Sequence, residues 1–410
     1  MSILTDSKQI MSAALHAAMP DTAVRKALAN LPAYRGRLIL IAAGKAAWQM
    51  ASAAYDTLGN RIYSGVVVTK YDHSKGDIPG VSIYEAGHPV PDANSYRATQ
   101  AAIDEVTGLT EDDLVLFLLS GGGSALFEKP LIAPEELEDI TRQLLACGAD
   151  IVEINTLRKR FSGVKGGKFA ALCAPARVFS VVLSDILGDP LDMIASGPAY
   201  PDSATAADAL AIAEKYRLKL SADARSLLSR ETPKTLTNVQ THVTGSVRQL
   251  CAAASECAKK LGYEPIILSA SLCCEARDAG SFLASIAQYH AGSAHSLAFI
   301  CGGETVVHLT GHGKGGRNQE LALSAARGLS GLTDTLIFSL GSDGTDGPTD
   351  AAGGWADGAT CRKLAEHGIC VDAVLQENDA YHALQAVDGL IFTGPTGTNV
   401  NDLTVLLIKR

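Results

Sequence analysis

Short apolar runs that end in glycine-rich loops and then pass into helical spacing constrain this chain more than any other feature. Leu114–Leu119 is wholly apolar and runs straight into Ser120-Gly121-Gly122-Gly123-Ser124, after which a helix is expected. Leu38–Ala42 behaves the same way, ending at Gly44-Lys45 before an alanine-rich stretch that continues to Leu58. Apolar runs of this length, bounded by turn residues, read as buried strands. Further strands are expected at Ser64–Thr69, Val81–Glu85, Arg177–Leu183, Glu264–Leu268, Leu297–Cys301, Thr305–Thr310, Thr335–Leu340, Gly389–Phe392 and Leu403–Ile408. Repetition of strand, loop and helix implies an α/β fold, with layered domains and mainly parallel sheets. Open sheets of that kind bind ligands beyond the carboxyl ends of their strands, so those loops are the place to look for chemistry.

A length of 410 residues suggests two or three domains. The polar stretch Tyr216–Gln240 lacks a long apolar strand and is the expected crossing between residues 1–240 and 241–410. Helices are expected at Asp6–Met19 and Asp21–Leu31, each opening on an acidic cap. Hydrophobic residues make up 47% and charged ones 19%, so a large core can form. The net charge of −9 argues against nucleic acid as the main partner, because a phosphate backbone needs a basic face. Nine dispersed cysteines, none spaced C-x-x-C, support neither a disulfide framework nor a zinc site. No run approaches the roughly 20 apolar residues of a membrane span, and no basic end leads an apolar core at the N-terminus. The expectation is a cytoplasmic protein without a membrane partner, with the choice between monomer and homodimer left open.

The loops carry the chemistry. Thr305–Thr310 leads into Gly311-His312-Gly313-Lys314-Gly315-Gly316-Arg317 and then a helix through Leu329, which reads as a strand, a phosphate cradle and a helix start. The next strand ends in Asp343, Asp346 and Asp350 on a glycine-rich turn, a donor set suited to Mg²⁺. Gly311, Gly313 and Gly316 also spell the looser dinucleotide pattern G-x-G-x-x-G. Its ribose-binding acid is misplaced, since Asp334 precedes the following strand and Asp343 comes late. Ser120–Ser124 forms a second anion nest, and Lys45 stands at the carboxyl edge of a sheet. Arg158, Lys159, Arg160, Lys165 and Lys168 form a basic cluster that either focuses an anionic substrate or is simply a solvated face. It is no Walker loop, because Phe169 stands where Ser or Thr is required. Asp185 and Asp189, followed by Ala195-Ser196-Gly197-Pro198, offer a base, a second metal contact or a helix cap. His88, in the stiff loop Gly87–Asp92, is open to a shaping or a chemical role.

Taken together, these segments resemble the two-domain glycerate 2-kinases, whose C-terminal domain is called MOFRL. The resemblance rests on Gly44-Lys45, Gly87–Asp92, Ser120–Ser124, Asn155–Lys159, Lys165–Lys168 and Ser184–Pro190. It continues through Gly302–Thr305, Gly313–Glu320, Ser342–Pro348 and Thr393–Asp402, and so spans nearly the whole chain. It implies a Rossmann-like N-terminal domain over 1–240 and a C-terminal domain over 241–410 with its MOFRL region at about 295–410. It further implies a site in the cleft between them and ATP-dependent phosphorylation of D-glycerate at its 2-hydroxyl. Lys45 and Arg317 fall at the positions of the family's catalytic residues, as charge stabilisers. Asp185 is then the candidate base, and Asp343, Asp346 and Asp189 the candidate Mg²⁺ ligands. Gly44, Ser120, Gly121, Gly122, Gly123, Ser124, Lys165, Ser196, Gly313, Lys314, Gly315 and Gly316 are expected to bind ATP or glycerate, with the division between the two left open. The rivals are an NAD(P)H-dependent hydroxypyruvate reductase and a non-catalytic protein that binds sugar acids or phosphates.

Overall fold

The computed structural model describes residues 2–184, 186, 188 and 190–410, and the chain folds as two compact units. One holds Ala23–Ser184 and the segment ending at Thr244; the other holds the N-terminal residues through Thr22 together with Gly245–Arg410. The N-terminal helix Ile3–Ala18, expected in the first domain, packs in the second unit. Its apolar stripe of Ile10, Met11, Ala14 and Ala18 shares a core with Leu250, Ala254 and Phe338. Asp6 is not its cap; that role falls to Ser2, which accepts the Thr5 N–H at 3.2 Å. Asp6 is instead buried, accepting bonds from the Tyr263 hydroxyl (2.8 Å) and the Lys409 ammonium (2.6 Å). Among the described residues, no helix is long and apolar enough to cross a membrane.

In the first unit, six strands form one wholly parallel sheet. They are β1 (Leu38–Ala43), β2 (Ile62–Lys70), β3 (Val81–Ala86), β4 (Leu114–Leu119), β5 (Arg177–Val182) and β6 (Val239–Val243), in the order β3-β2-β1-β4-β5-β6. Every residue of β1 and β4 is buried, as expected of central strands covered on both faces. The chain winds outward from β1 to β3, then returns to start the other half at β4. This Rossmann order opens a crevice where the winding reverses, between β1 and β4. Tyr216–Gln240 is no crossing segment. Its helix Ala222–Leu228 packs on the helix Ile151–Phe161 through Leu227, Leu228 and Leu157, and its end enters edge strand β6.

The second unit's sheet comprises β7 (Glu264–Leu272), β8 (Leu297–Gly303), β9 (Thr335–Gly341), β10 (Gly353–Asp357), β11 (Leu390–Ile391) and β12 (Asp402–Ile408). Its order is β11-β10-β9-β12-β8-β7, and only β7 and β8 pair in parallel. The expectation of mainly parallel sheets therefore fails here. Wholly buried β12 slots between β8 and β9 in the opposite direction, which its apolar run Val405–Ile408 alone does not reveal. Thr305–Thr310 is not a strand either. Apart from one bridge at Val306 its amides leave the sheet, with His308 N–H bonding to Glu275 and Thr310 N–H to Asn378.

Candidate active site

The crevice between β1 and β4 sets the geometry of the first unit. The two strands run in register, Ala43 beside Leu119, so their loops emerge side by side. Gly44 turns there at φ +125°, where a Cβ would lie 2.2 Å from the Ser120 hydroxyl; only glycine fits. Ser120 Oγ accepts the Ala46 N–H (3.1 Å), and Lys45 N–H donates to the Gly121 carbonyl (2.9 Å). These bonds clamp the Lys45 backbone to the glycine loop. The Lys45 side chain is exposed, and its ammonium has no partner among the described residues. The N–H groups of Gly121 and Gly122 are likewise without a partner there. His88 joins them from the loop after β3, since a Cβ on Gly122 would stand about 3 Å from both its ring and Lys45 Cγ. Burial, then the Lys45 charge, pushes the His88 pKa down, so its imidazole is neutral at pH 7. The crevice thus combines the Lys45 cation, free amides and a neutral imidazole, which is a setting for an anion.

Beside it lies a strained turn. Ala195 (φ 49°) and Ser196 (φ 62°) both adopt left-handed backbone, followed by Gly197 (φ 62°). Such conformations cost about 1 kcal/mol or more per non-glycine residue and persist where surroundings over-determine them. Here the N–H groups of Gly166 and Gly167 bond the carbonyls of Ser196 (3.0 Å) and Gly197 (2.7 Å). The Ser196 hydroxyl is thereby aimed at Asn155 Oδ1 (2.9 Å) and Ser124 Oγ (3.2 Å). Lys165, expected to bind substrate, is instead wholly buried, donating to Glu128 (2.5 Å) and the Phe127 carbonyl (3.0 Å). Burial pushes its pKa down to about 8, against the pull of Glu128. Much of the basic cluster is structural in the same way: Lys159 pairs with Asp202 (2.9 Å) and Asp192 (3.3 Å).

In the second unit the expected phosphate cradle is filled by the protein itself. Gly311 N–H donates to Asn378 Oδ1 (2.9 Å), Gly313 N–H to the Glu377 carbonyl (2.7 Å) and Lys314 N–H to Asp379 Oδ1 (2.9 Å). The helix start beyond, Arg317–Leu329, is capped by Asp346, whose two oxygens accept the N–H groups of Asn318 (3.1 Å) and Gln319 (2.9 Å). Glycine is required because backbone and carboxylate come so close: a Cβ on Gly316 would meet Asp346 Cγ at 2.3 Å, and one on Gly311 would meet Glu377 Cα at 2.3 Å. The G-x-G-x-x-G pattern is therefore packing, and the dinucleotide reading loses its motif. Gly315 and Gly316 keep their own N–H groups free of partners among the described residues. The Lys314 ammonium lies 4.1 Å from the centre of the Tyr381 ring.

Asp346, expected to bind metal, spends its carboxylate on that cap, and burial raises its pKa to about 6. Among the described residues, no group of three His, Cys, Asp or Glu could hold a metal ion. Among the described residues the Asp343 carboxylate accepts only the Thr345 N–H, through one of its two oxygens (3.0 Å), while its backbone carbonyl takes the Thr396 N–H (3.2 Å). Arg317 makes the two-pronged contact its chemistry suggests, but with the protein: Asp402 takes Nε (2.6 Å) and Nη2 (2.9 Å), and Glu304 takes Nη1 (2.8 Å). Burial works against the guanidinium charge, but the carboxylates outweigh it and raise its pKa. Of the five N–H donors on an arginine, two remain for a ligand. Glu304 and Asp402 were not singled out in the sequence, although both lie in quoted motif segments; their signal was a carboxylate at a strand end. Asp185 and Asp189 lie outside the described residues.

Comparison with known proteins matches these two halves in order. The family model for a domain of unknown function, DUF4147, matches residues 6–229, and that of the MOFRL family matches residues 297–402. A Thermotoga maritima protein named D-glycerate 2-kinase is 52% identical over 98% of this chain and 97% of its own length. A Pyrococcus horikoshii glycerate 2-kinase is 43% identical over 91% of this chain and 88% of its own. The crystal structure of a Thermotoga maritima glycerate kinase matches with a TM-score of 0.95 at 51% identity, covering 98% of this chain and 99% of that one. With both halves matched and full-length relatives this similar, the chain belongs to the glycerate 2-kinase family.

Proposed function

We propose that this chain transfers the γ-phosphoryl group of ATP to the 2-hydroxyl of D-glycerate, giving 2-phosphoglycerate and ADP. The observation that carries the reading is the free Lys45 ammonium beside the free amides of Gly121 and Gly122, at the point where the parallel sheet reverses its winding. Phosphoryl transfer demands little covalent chemistry of a protein; positioning and neutralisation of charge do most of the work. Lys45 supplies one cation at the β1 edge, and its backbone is already clamped by the glycine loop. Arg317 supplies a second, held rigid by Asp402 and Glu304 with two donors to spare. Gly44 and Ser120–Ser124 shape the anion site, and Ser196, whose hydroxyl donates to Asn155, accepts from Ser124. Gly315 and Gly316 complete the list in the second unit, while the amides of Gly313 and Lys314 and the Lys165 ammonium serve the fold. Asp185, at the end of a buried strand in the sequence, is the candidate base; among the described residues, neutral His88 is a proton acceptor near Lys45.

Mg²⁺ would draw charge from the ATP phosphates. Asp343, with one carboxylate oxygen uncommitted, suits the single protein ligand that Mg²⁺ commonly takes alongside phosphate and water. The test is coupled ADP release across a panel of small hydroxy acids, followed by NMR of the product. ADP formation with D-glycerate and phosphate on the 2-oxygen is expected. Phosphate on the 3-oxygen would refute the regiochemistry. NAD(P)H oxidation by hydroxypyruvate, with no ADP formed, would overturn the kinase reading.

A further inference from the structure

Five cations crowd the helix Ile151–Phe161 and the loop after it, and four of them have partners. Lys159 pairs with Asp202 and Asp192. Arg160 donates to the carbonyls of Arg230 (2.6 Å) and Ala204 (2.7 Å). Lys165 is buried against Glu128, and Lys168 donates to the carbonyls of Ser162 (2.6 Å) and Lys159 (2.9 Å) at the helix end. Arg158 has no hydrogen bond or ion pair among the described residues. Nor is it a freely solvated surface arginine. It is only partly exposed, and burial lowers its pKa in spite of the nearby Glu128 charge. A guanidinium drawn partly out of water, with no direct bond and only a shared carboxylate nearby, is costly unless something else supplies a partner.

The surroundings indicate what that partner is. Glu128, whose charge Arg158 feels, is already bound to Lys165, so two cations face one carboxylate and the cluster keeps one positive charge in excess. One turn back on the same helix, Asn155 accepts the Ser196 hydroxyl, which meets Ser124. The Ser120–Ser124 loop is therefore tied at one end to Lys45 and at the other, through Ser196 and Asn155, to the helix that carries Arg158. In glycerate the carboxylate sits on the same carbon as the reacting 2-hydroxyl. A site that brings that hydroxyl to the phosphoryl group beside Lys45 must hold a planar anion close by. We propose that Arg158 is the residue that recognises the carboxylate of the acid substrate, and so selects a 2-hydroxy acid over a neutral alcohol. The proposal rests on the glycerate kinase reading given above. A guanidinium fork matches a carboxylate with two parallel bonds, which a lysine cannot reproduce.

The test compares D-glycerate with its uncharged amide, glyceramide, as phosphoryl acceptors for wild type, Arg158→Met and Arg158→Lys, measuring ADP release and the KM for ATP. In Arg158→Met, kcat/KM for glycerate should fall about 10²-fold, the usual scale for losing one partner of a desolvated charge pair. Activity on glyceramide and the KM for ATP should barely change, so the preference for the acid collapses. Arg158→Lys should fall in between, and it carries the test if the methionine variant does not fold. Equal losses on both acceptors, or an unchanged preference for the acid, would overturn the proposal and leave the kinase assignment intact. Failure of the wild type to phosphorylate glycerate would remove both at once.

Discussion

Replacing Arg317 with alanine separates two roles that the structure gives to one side chain. The guanidinium is a charge stabiliser in the proposed reaction and also the counter-ion of buried Asp402. Breaking a buried pair by removing one partner typically costs about 3–5 kcal/mol, because the remaining charge is stranded. The second leg, to half-exposed Glu304, adds about 0–1 kcal/mol. Arg317→Ala should therefore destabilise its unit by about 3–5 kcal/mol and lower kcat by about 10²–10³-fold. In Arg317→Ala/Asp402→Asn the stranded charge is gone, so about 2–3 kcal/mol should return as coupling energy, without the turnover. The chain has two tryptophans, and only Trp355 lies in this unit. A Trp48→Phe background therefore lets Trp355 fluorescence in urea report on this unit alone. Unfolding of Arg317→Ala at the wild-type midpoint would show that the ion pair stabilises nothing. Recovery of both stability and turnover in the double variant would show that Arg317 only neutralises Asp402, and the catalytic reading would fall.

Lys45→Met should lose about 10²–10³-fold in kcat with unchanged unfolding, since its ammonium bonds to nothing among the described residues; near wild-type turnover would place the site elsewhere. In the same variant the His88 NMR titration midpoint should rise, because one of the charges that lowers it is removed; an unmoved midpoint would deny their proximity. Lys165→Met should cost about 3–5 kcal/mol while leaving the KM for glycerate near normal; a raised KM with intact stability would restore its substrate role. The folded-state pKa of Lys165 is about 8, below the ordinary 10.5, so the folded chain releases that proton first. Stability from this group thus rises between those pH values, and wild type should gain on Lys165→Met as pH increases through the window. Gly316→Ala should cost about 1–3 kcal/mol by pushing Asp346 off the helix start; wild-type stability would refute the close contact.

Much of the first unit was legible from local pattern. Uniform apolarity over Leu38–Ala42 and Leu114–Leu119 marked two buried strands, and parallel pairing followed from their alternation with helices. Glycines after each strand marked the loops, so Lys45 could be placed at a strand end without knowing the sheet order. These properties belong to short stretches of chain and are written in side-chain size and spacing. The second unit shows what such stretches leave undetermined. The amides of Gly311 and Gly313 could serve a phosphate or residues 377–378, and the loop sequence is the same in either case. Close approach of the 377–379 segment decided it, just as insertion of β12 between β8 and β9 decided the direction of pairing. Charge pairing obeys the same rule. Nothing near Lys165 or Arg317 in sequence predicts that Glu128 and Asp402 will claim them, or that Arg158 will be passed over. A hydrogen bond or ion pair is satisfied by whichever partner the fold brings within about 3 Å, and those partners come from far along the chain.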